Sequence, residues 1–96
     1  MVTLHIEHPI TDFTTWCTAF GRLGGARSDG GVLAARIHRP IDDDKYVMID
    51  LDFATVNQAE RFRDFLHARI WSSPANAPAL AGGPVTRILQ AEQLPS

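Results

Sequence analysis

Two hydrophobic periods take turns along the chain, and the points where one gives way to the other mark its elements. Val2, Leu4 and Ile6 alternate with Thr3, His5 and Glu7, the period-two pattern of a strand with one buried face, and Pro9 ends the run. Thr11 or Asp12 can then cap a helix in which Phe13, Trp16, Cys17 and Phe20 share an apolar face. The glycines of Leu23-Gly24-Gly25 predict its C-cap, and Ala26 to Gly31 reads as a loop. Val32 to Arg39 and Lys45 to Phe53 form a second and a third strand, joined by the turn Pro40 to Asp44. The third strand has Val47, Ile49, Leu51 and Phe53 on one face, and Tyr46, Met48, Asp50 and Asp52 on the other.

The longest helical pattern runs from Thr55 to Trp71. Ala59, Phe62, Leu66 and Ile70 recur at three- and four-residue steps, and Phe65 widens the stripe. Thr55 and Gln58 have the spacing of a capping box, and Pro74 stops continuation. A helix of this length is marginal alone in water, so its stripe must lie on the neighbouring strands. Beyond it come an irregular link rich in Pro, Ala and Gly (Ser72 to Gly83), a fourth strand (Pro84 to Glu92) and a frayed tail, Gln93 to Ser96.

The order β-α-β-β-α-β predicts one α+β domain over residues 1–96 with the ferredoxin-like arrangement. Right-handed crossovers put two helices on one face of a four-stranded antiparallel sheet of order 4-1-3-2. Val2, Leu4, Ile6 and the apolar face of the third strand would meet the helices. The other face is mixed: Thr3, His5, Glu7, Arg36, His38, Tyr46, Met48, Asp50 and Asp52. Its charges are balanced, as a covered polar seam requires, because an unpaired buried charge is costly. This predicts a homodimer with His5, Arg36, Tyr46, Met48 and Asp50 in the interface, Arg36 pairing with Asp50.

Composition removes several alternatives. A formal charge of −2, with basic residues scattered from Arg22 to Arg87, gives no basic face for nucleic acid. No apolar run approaches membrane-spanning length, and the N-terminus lacks the order of a signal peptide, so no membrane association and a cytoplasmic location are expected. The single cysteine, Cys17, excludes an internal disulfide and a multi-cysteine metal knuckle.

His8-Pro-Ile-Thr-Asp12-Phe13-Thr-Thr-Trp16, Phe20, Arg27, the Asp42-Asp43 turn and Gly82-Gly83-Pro84 together resemble a group of small bacterial proteins. That group lies in the dimeric α+β barrel superfamily, related to antibiotic-biosynthesis monooxygenases. The resemblance implies a dimer whose two sheets form one barrel with the helices outside. It also implies, for members that are enzymes, oxidation or cyclisation of aromatic polyketides, or haem degradation, in a cleft between helices and sheet. The haem-degrading branch has an Asn on the first strand, a Trp on the second helix and a His just after it. Here Trp71 fits, but the Asn and the late His are missing, so neither haem nor another cofactor is expected. The cofactor-free branch surrounds its substrate with Trp, Asn, Tyr and Arg, which Trp71, Asn76, Tyr46 and Arg87 can supply.

Other candidates carry less. His5-x-Glu7 puts an imidazole and a carboxylate on one strand face, roughly 6.5–7 Å apart. With His38 they suggest a metal set, but the third strand would intervene, so a hydrogen-bonded interface seam is the better reading and no metal is expected. His8 is read as a turn residue beside Pro9 and His67 as solvated. Cys17 falls in the buried stripe without a base to activate it. The glycines lack a phosphate-binding context, and Asp42-Asp43-Asp44 lacks the spaced ligands of a calcium loop.

Two classes of function remain. One is a cofactor-independent monooxygenase or cyclase acting on a small apolar or aromatic compound. The other is a non-catalytic dimeric module that binds a small ligand or serves structure. The first predicts a pocket under the Ser72–Gly83 link, walled by Phe13 or Trp16, Leu51, Phe62 and Trp71, with Asn76 or Arg87 as its polar contact. Phe65 and Leu80 are the side chains that would otherwise fill it.

Overall fold

The computed structural model describes residues 1–94 and has the elements β1 (Val2–Pro9), α1 (Phe13–Arg22), α2 (Gly24–Asp29), β2 (Ala34–His38), β3 (Tyr46–Phe53), α3 (Val56–Phe65) and β4 (Val85–Gln90). The outer part of the expected tail, residues 95–96, lies outside the described residues. The strands form an antiparallel sheet of order β2-β3-β1-β4, the expected ferredoxin-like order. Among the described residues no helix is long and apolar enough to cross a membrane.

Strand alternation does most of the work of building the core. Val2, Leu4, Ile6 and His8 on β1, and Val47, Ile49, Leu51 and Phe53 on β3, all point to the helices and are buried. Ala59, Phe62 and Leu66 close over them, Phe62 packing at 5.8 Å between ring centres on Phe53. β2 is an edge strand with every residue exposed, and it is shorter at both ends than the apolar pattern predicts.

The helix ends resolve one open alternative and depart from expectation in two places. Asp12, not Thr11, caps α1: its carboxylate accepts from the Thr15 amide at 2.8 Å and the Thr15 hydroxyl at 2.6 Å. α1 ends within the expected Leu23-Gly24-Gly25 stretch, capped at Leu23, but no loop follows. Leu23 kinks the helical path, and α2 continues through the stretch expected to be a loop, with bonds from Arg27 N to Leu23 O and from Gly30 N to Ala26 O. A glycine permits a left-handed cap but does not compel one, and Gly31 is the residue with positive φ, at 90°. The capping box is half made. Thr55 accepts from the Gln58 amide, but the Gln58 side chain turns towards Gly31, and its Oε1 is buried without a partner among the described residues.

α3 does not end as a plain α-helix. Leu66 to Ile70 form a π-helical turn, in which the Trp71 amide bonds to Leu66 O at 2.8 Å. The wider turn brings Trp71 back above Leu66; α-helical bonding would carry it about 100° further round. α3 lies on β1, β3 and β4, whereas the backbone of α1 approaches within 8 Å (Cα to Cα) of α2 but of no strand. Large side chains must bridge the gap beneath α1. Trp16 does so, while Cys17, next to it in sequence and turned about 100° round the helix, is exposed, contrary to its expected burial.

Candidate functional site

The gap beneath α1 is incompletely filled and leaves a cavity of about 60 Å³. Its floor is the helix-facing side of the sheet, Ile6, His8, Ile49 and Leu51. Trp16, Ala19 and Phe20 of α1 form one wall, with Leu23 and Arg27 beyond them. Phe62, Leu66, Ile70 and Trp71 form the opposite wall, and Asn76 to Leu80 of the link lie over the top. The fold thus brings Trp16, Leu51, Phe62, Trp71 and Asn76 around one space. Phe13 stands one ring further out, stacked on Trp16, and Leu80 intrudes without filling the space.

Arg87 does not join them. Ile88 points to the helices, so strand alternation turns Arg87 to the opposite sheet face, where it is exposed across from His5. Tyr46 is on that face too, its hydroxyl donating to Glu7 Oε1 at 2.7 Å. Asn76 is committed to structure: its side-chain amide donates to Arg69 O at 2.8 Å and ties the link to the end of the helix.

The polar group on the floor is His8, expected as a turn residue but found as the last inward position of β1, 3% exposed. Its Nδ1 lies 3.0 Å from Pro9 O. A carbonyl only accepts, so Nδ1 carries the proton. Burial holds the imidazole pKa below its ordinary value, so the ring is neutral at pH 7, and Nε2 keeps a lone pair with no protein partner among the described residues. Trp71 stands edge-on between this ring, at 6.4 Å, and the exposed ring of His67, at 4.8 Å. The signal for His8 was present in the sequence, since it continues the parity of Val2, Leu4 and Ile6; Pro9 does end the strand, but its turn chemistry does not reach back to His8.

Arg27 is the other ionisable group on the cavity wall. Its guanidinium covers Phe20 at 3.8 Å and donates from Nη1 to Phe20 O. Phe13, Trp16 and Phe20 are stacked nearly parallel, and Arg39 covers the far end of the stack at 3.9 Å from Phe13.

On the outer sheet face, His5 is clamped between two carboxylates, Nδ1 to Asp50 at 2.7 Å and Nε2 to Glu7 at 2.8 Å. Two ionised carboxylates only accept, so this geometry favours the imidazolium, in which both nitrogens donate. The Glu7 hydrogen bond, with help from Asp50, raises its pKa, and Glu7 is held low by His5 and then by Tyr46. Neither ring nitrogen is free for a metal, and His38, on β2 opposite Met48, does not approach. Arg36 binds Asp52, at 2.7 and 2.9 Å, and not the expected Asp50. Asp50 is its cross-strand neighbour but is taken by His5, so the longer side chain reaches diagonally. Asp52 also accepts from Thr3 at 2.7 Å, and Arg36 above all, then Thr3, draw its pKa down to about 2.

No protein-family model matches the sequence, and no curated protein matches it. The fold does have relatives among solved structures. A protein from Bordetella bronchiseptica described as an antibiotic biosynthesis monooxygenase superposes with a TM-score of 0.74 over 96% of this chain and 97% of its own, at 13% identity. SnoaB, a cofactor-independent oxygenase from Streptomyces nogalater, gives 0.71 over 97% and 94%, at 15% identity. The monooxygenase from the gene ActVA-Orf6 of Streptomyces coelicolor, in complex with Nanaomycin D, gives 0.61 over 99% and 92%, at 21% identity. Over nearly its whole length, then, the chain has the fold of the antibiotic-biosynthesis monooxygenases.

Proposed function

We propose that the chain is a cofactor-independent monooxygenase for a small aromatic compound, which it holds in the cavity between α1, α3 and the sheet. The observation that carries this reading is His8: a neutral imidazole with a free Nε2 in an otherwise largely apolar chamber. Such a group is a general base. Its substrate would carry a methylene made acidic by a neighbouring ring carbonyl. His8 takes a proton from that carbon, and the resulting enolate gives an electron to dioxygen. Recombination forms the C–O bond of a peroxide, which takes the proton back from His8. Loss of water then leaves a ketone, so CH2 and O2 become C=O and H2O without an external reductant. The cyclase alternative would use the same base to form the enolate and direct it to a carbonyl of the same molecule.

The test is oxygen uptake with anthrone, alongside a titration of tryptophan fluorescence. Wild type should consume oxygen, and His8→Gln should lower kcat by about a hundredfold or more while the fluorescence response survives. Because burial lowers the His8 pKa, the acid limb of kcat/KM should lie below the ordinary histidine value. Fluorescence change without oxygen uptake would select the second reading, a non-catalytic binding module. That reading is favoured by the cavity's size, well below the roughly 300–1,000 Å³ usual for ligand sites.

The unit we propose is a homodimer in the cytoplasm, joined through the outer sheet face. Balanced charges support this, as does the presence of exposed Val85 and Leu89 beside them. The exposed thiol of Cys17 suits a reducing compartment.

A further inference from the structure

We infer that the cavity's ligand is an anion, an apolar ring bearing a carboxylate or phenolate, and that Arg27 receives its charge. This rests on the reading that the cavity holds a small aromatic molecule, and it narrows the class of that molecule.

Arg27 occupies an unusual place for a cation. It lines a chamber whose floor and walls are chiefly aliphatic and aromatic, and it is only partly exposed. Among the described residues its side chain makes no ion pair: Glu7 and Asp50 serve His5, Asp52 serves Arg36, and Asp64 serves Arg63. A guanidinium has five N–H donors. One of them meets Phe20 O, at the end of α1, and that bond accounts for a structural role as a helix cap. The cap leaves the remaining donors unassigned.

The surroundings supply no counter-charge. His8 is neutral, and Asn76 spends its amide on the backbone. Burial works against the charged form of Arg27, lowering its pKa from the ordinary value, and the Phe20 ring and carbonyl meet it with partial charge only. A carboxylate or phenolate entering the cavity would meet that positive charge where the local dielectric is low and the pairing correspondingly strong. The planar fork suits a carboxylate in particular, two parallel N–H···O bonds being possible. The ring attached to it would lie against Trp71 and the edges of the stacked Trp16 and Phe20, which carry no charge. Under the proposed reaction, the same guanidinium puts positive charge on the wall of the chamber in which an enolate forms.

The experiment compares benzoate with benzamide, which share size and shape and differ in charge, by titration calorimetry at pH 7 with tryptophan fluorescence as a second readout. Wild type should bind benzoate about tenfold more tightly than benzamide. Arg27→Gln should lose that preference while its affinity for benzamide holds, and Arg27→Lys should keep part of it. The wild-type comparison needs no variant, so a folding defect in Arg27→Gln leaves the proposal open to refutation. Equal affinities in wild type, or a preference that persists in Arg27→Gln, would overturn the role of Arg27 and leave the aromatic cavity standing. If neither compound binds nor moves the fluorescence, the cavity reading fails together with this one.

Discussion

Asp52 collects three hydrogen bonds, one from Thr3 and two from Arg36, and its carboxyl pKa falls to about 2. Its folded value is below the ordinary 3.8, so its contribution to stability is full above that pH and is lost as pH falls through about 2. In Arg36→Ala the Asp52 carboxyl should titrate closer to 3.8, measurable by carbon NMR; an unchanged value would show that Thr3 and the sheet hold it alone. His5 behaves in the opposite sense. Its folded pKa is raised above 6.5, so its contribution is complete below that value and disappears as pH rises through the folded pKa. His5→Gln should therefore lower stability below pH 6.5, where the charged ring contributes, and converge on wild type as pH rises through the folded His5 pKa, read by urea unfolding across pH. At this scale the residues that strand parity controls were legible in the sequence: the inward and outward sets of β1 and β3 follow it throughout. The choice between Asp50 and Asp52 was not, because it depends on which acceptor His5 claims first, and sequence spacing carries no information on that competition.

Elements are joined here by residues whose backbone geometry matters more than their polarity. Gly31 has φ of 90°, and a Cβ there would lie 2.7 Å from Gln58 Nε2. Gly25 sits within α2 with nothing within 4 Å of its would-be Cβ. Gly31→Ala should destabilise by about 1–3 kcal/mol, whereas Gly25→Ala should stabilise by about 0.5–1 kcal/mol, both read by urea unfolding. The pair of outcomes checks the local geometry, since glycine content changes equally in both. Sequence patterns located the strands and the long helix but misread α2. A Gly-Gly pair has the composition of a stop, and only the right-handed backbone through it shows that the chain goes on turning. The π-turn was equally hidden. Leu66 and Ile70 fit the stripe in either geometry, so the periodicity of the buried positions does not register the extra residue that carries Trp71 over the cavity.

The sheet has two contrasting faces, with a cavity on the helix side and a charged surface on the other. The dimer proposed for the charged face should appear in light scattering at micromolar concentration, and a monomer there would sink it. Arg36→Ala should weaken that dimer roughly tenfold or more, because Asp52 would be covered without its partner. Topology was readable from element order, since β-α-β-β-α-β with right-handed crossovers leaves few arrangements. Strand parity also marks His8 as inward, but the cavity it faces was not readable, because that depends on how far α1 stands from the sheet, a distance that no local pattern encodes. Strand β1 serves both faces, and its two histidines, three positions apart, are held in opposite states near pH 6.5: His5 protonated outside, His8 neutral within. One histidine-resolved NMR titration would therefore carry two independent channels. The high-pH resonance shift would report on the charged outer face and the low-pH shift on the chamber, both from a single unlabelled strand acting as its own pair of indicators.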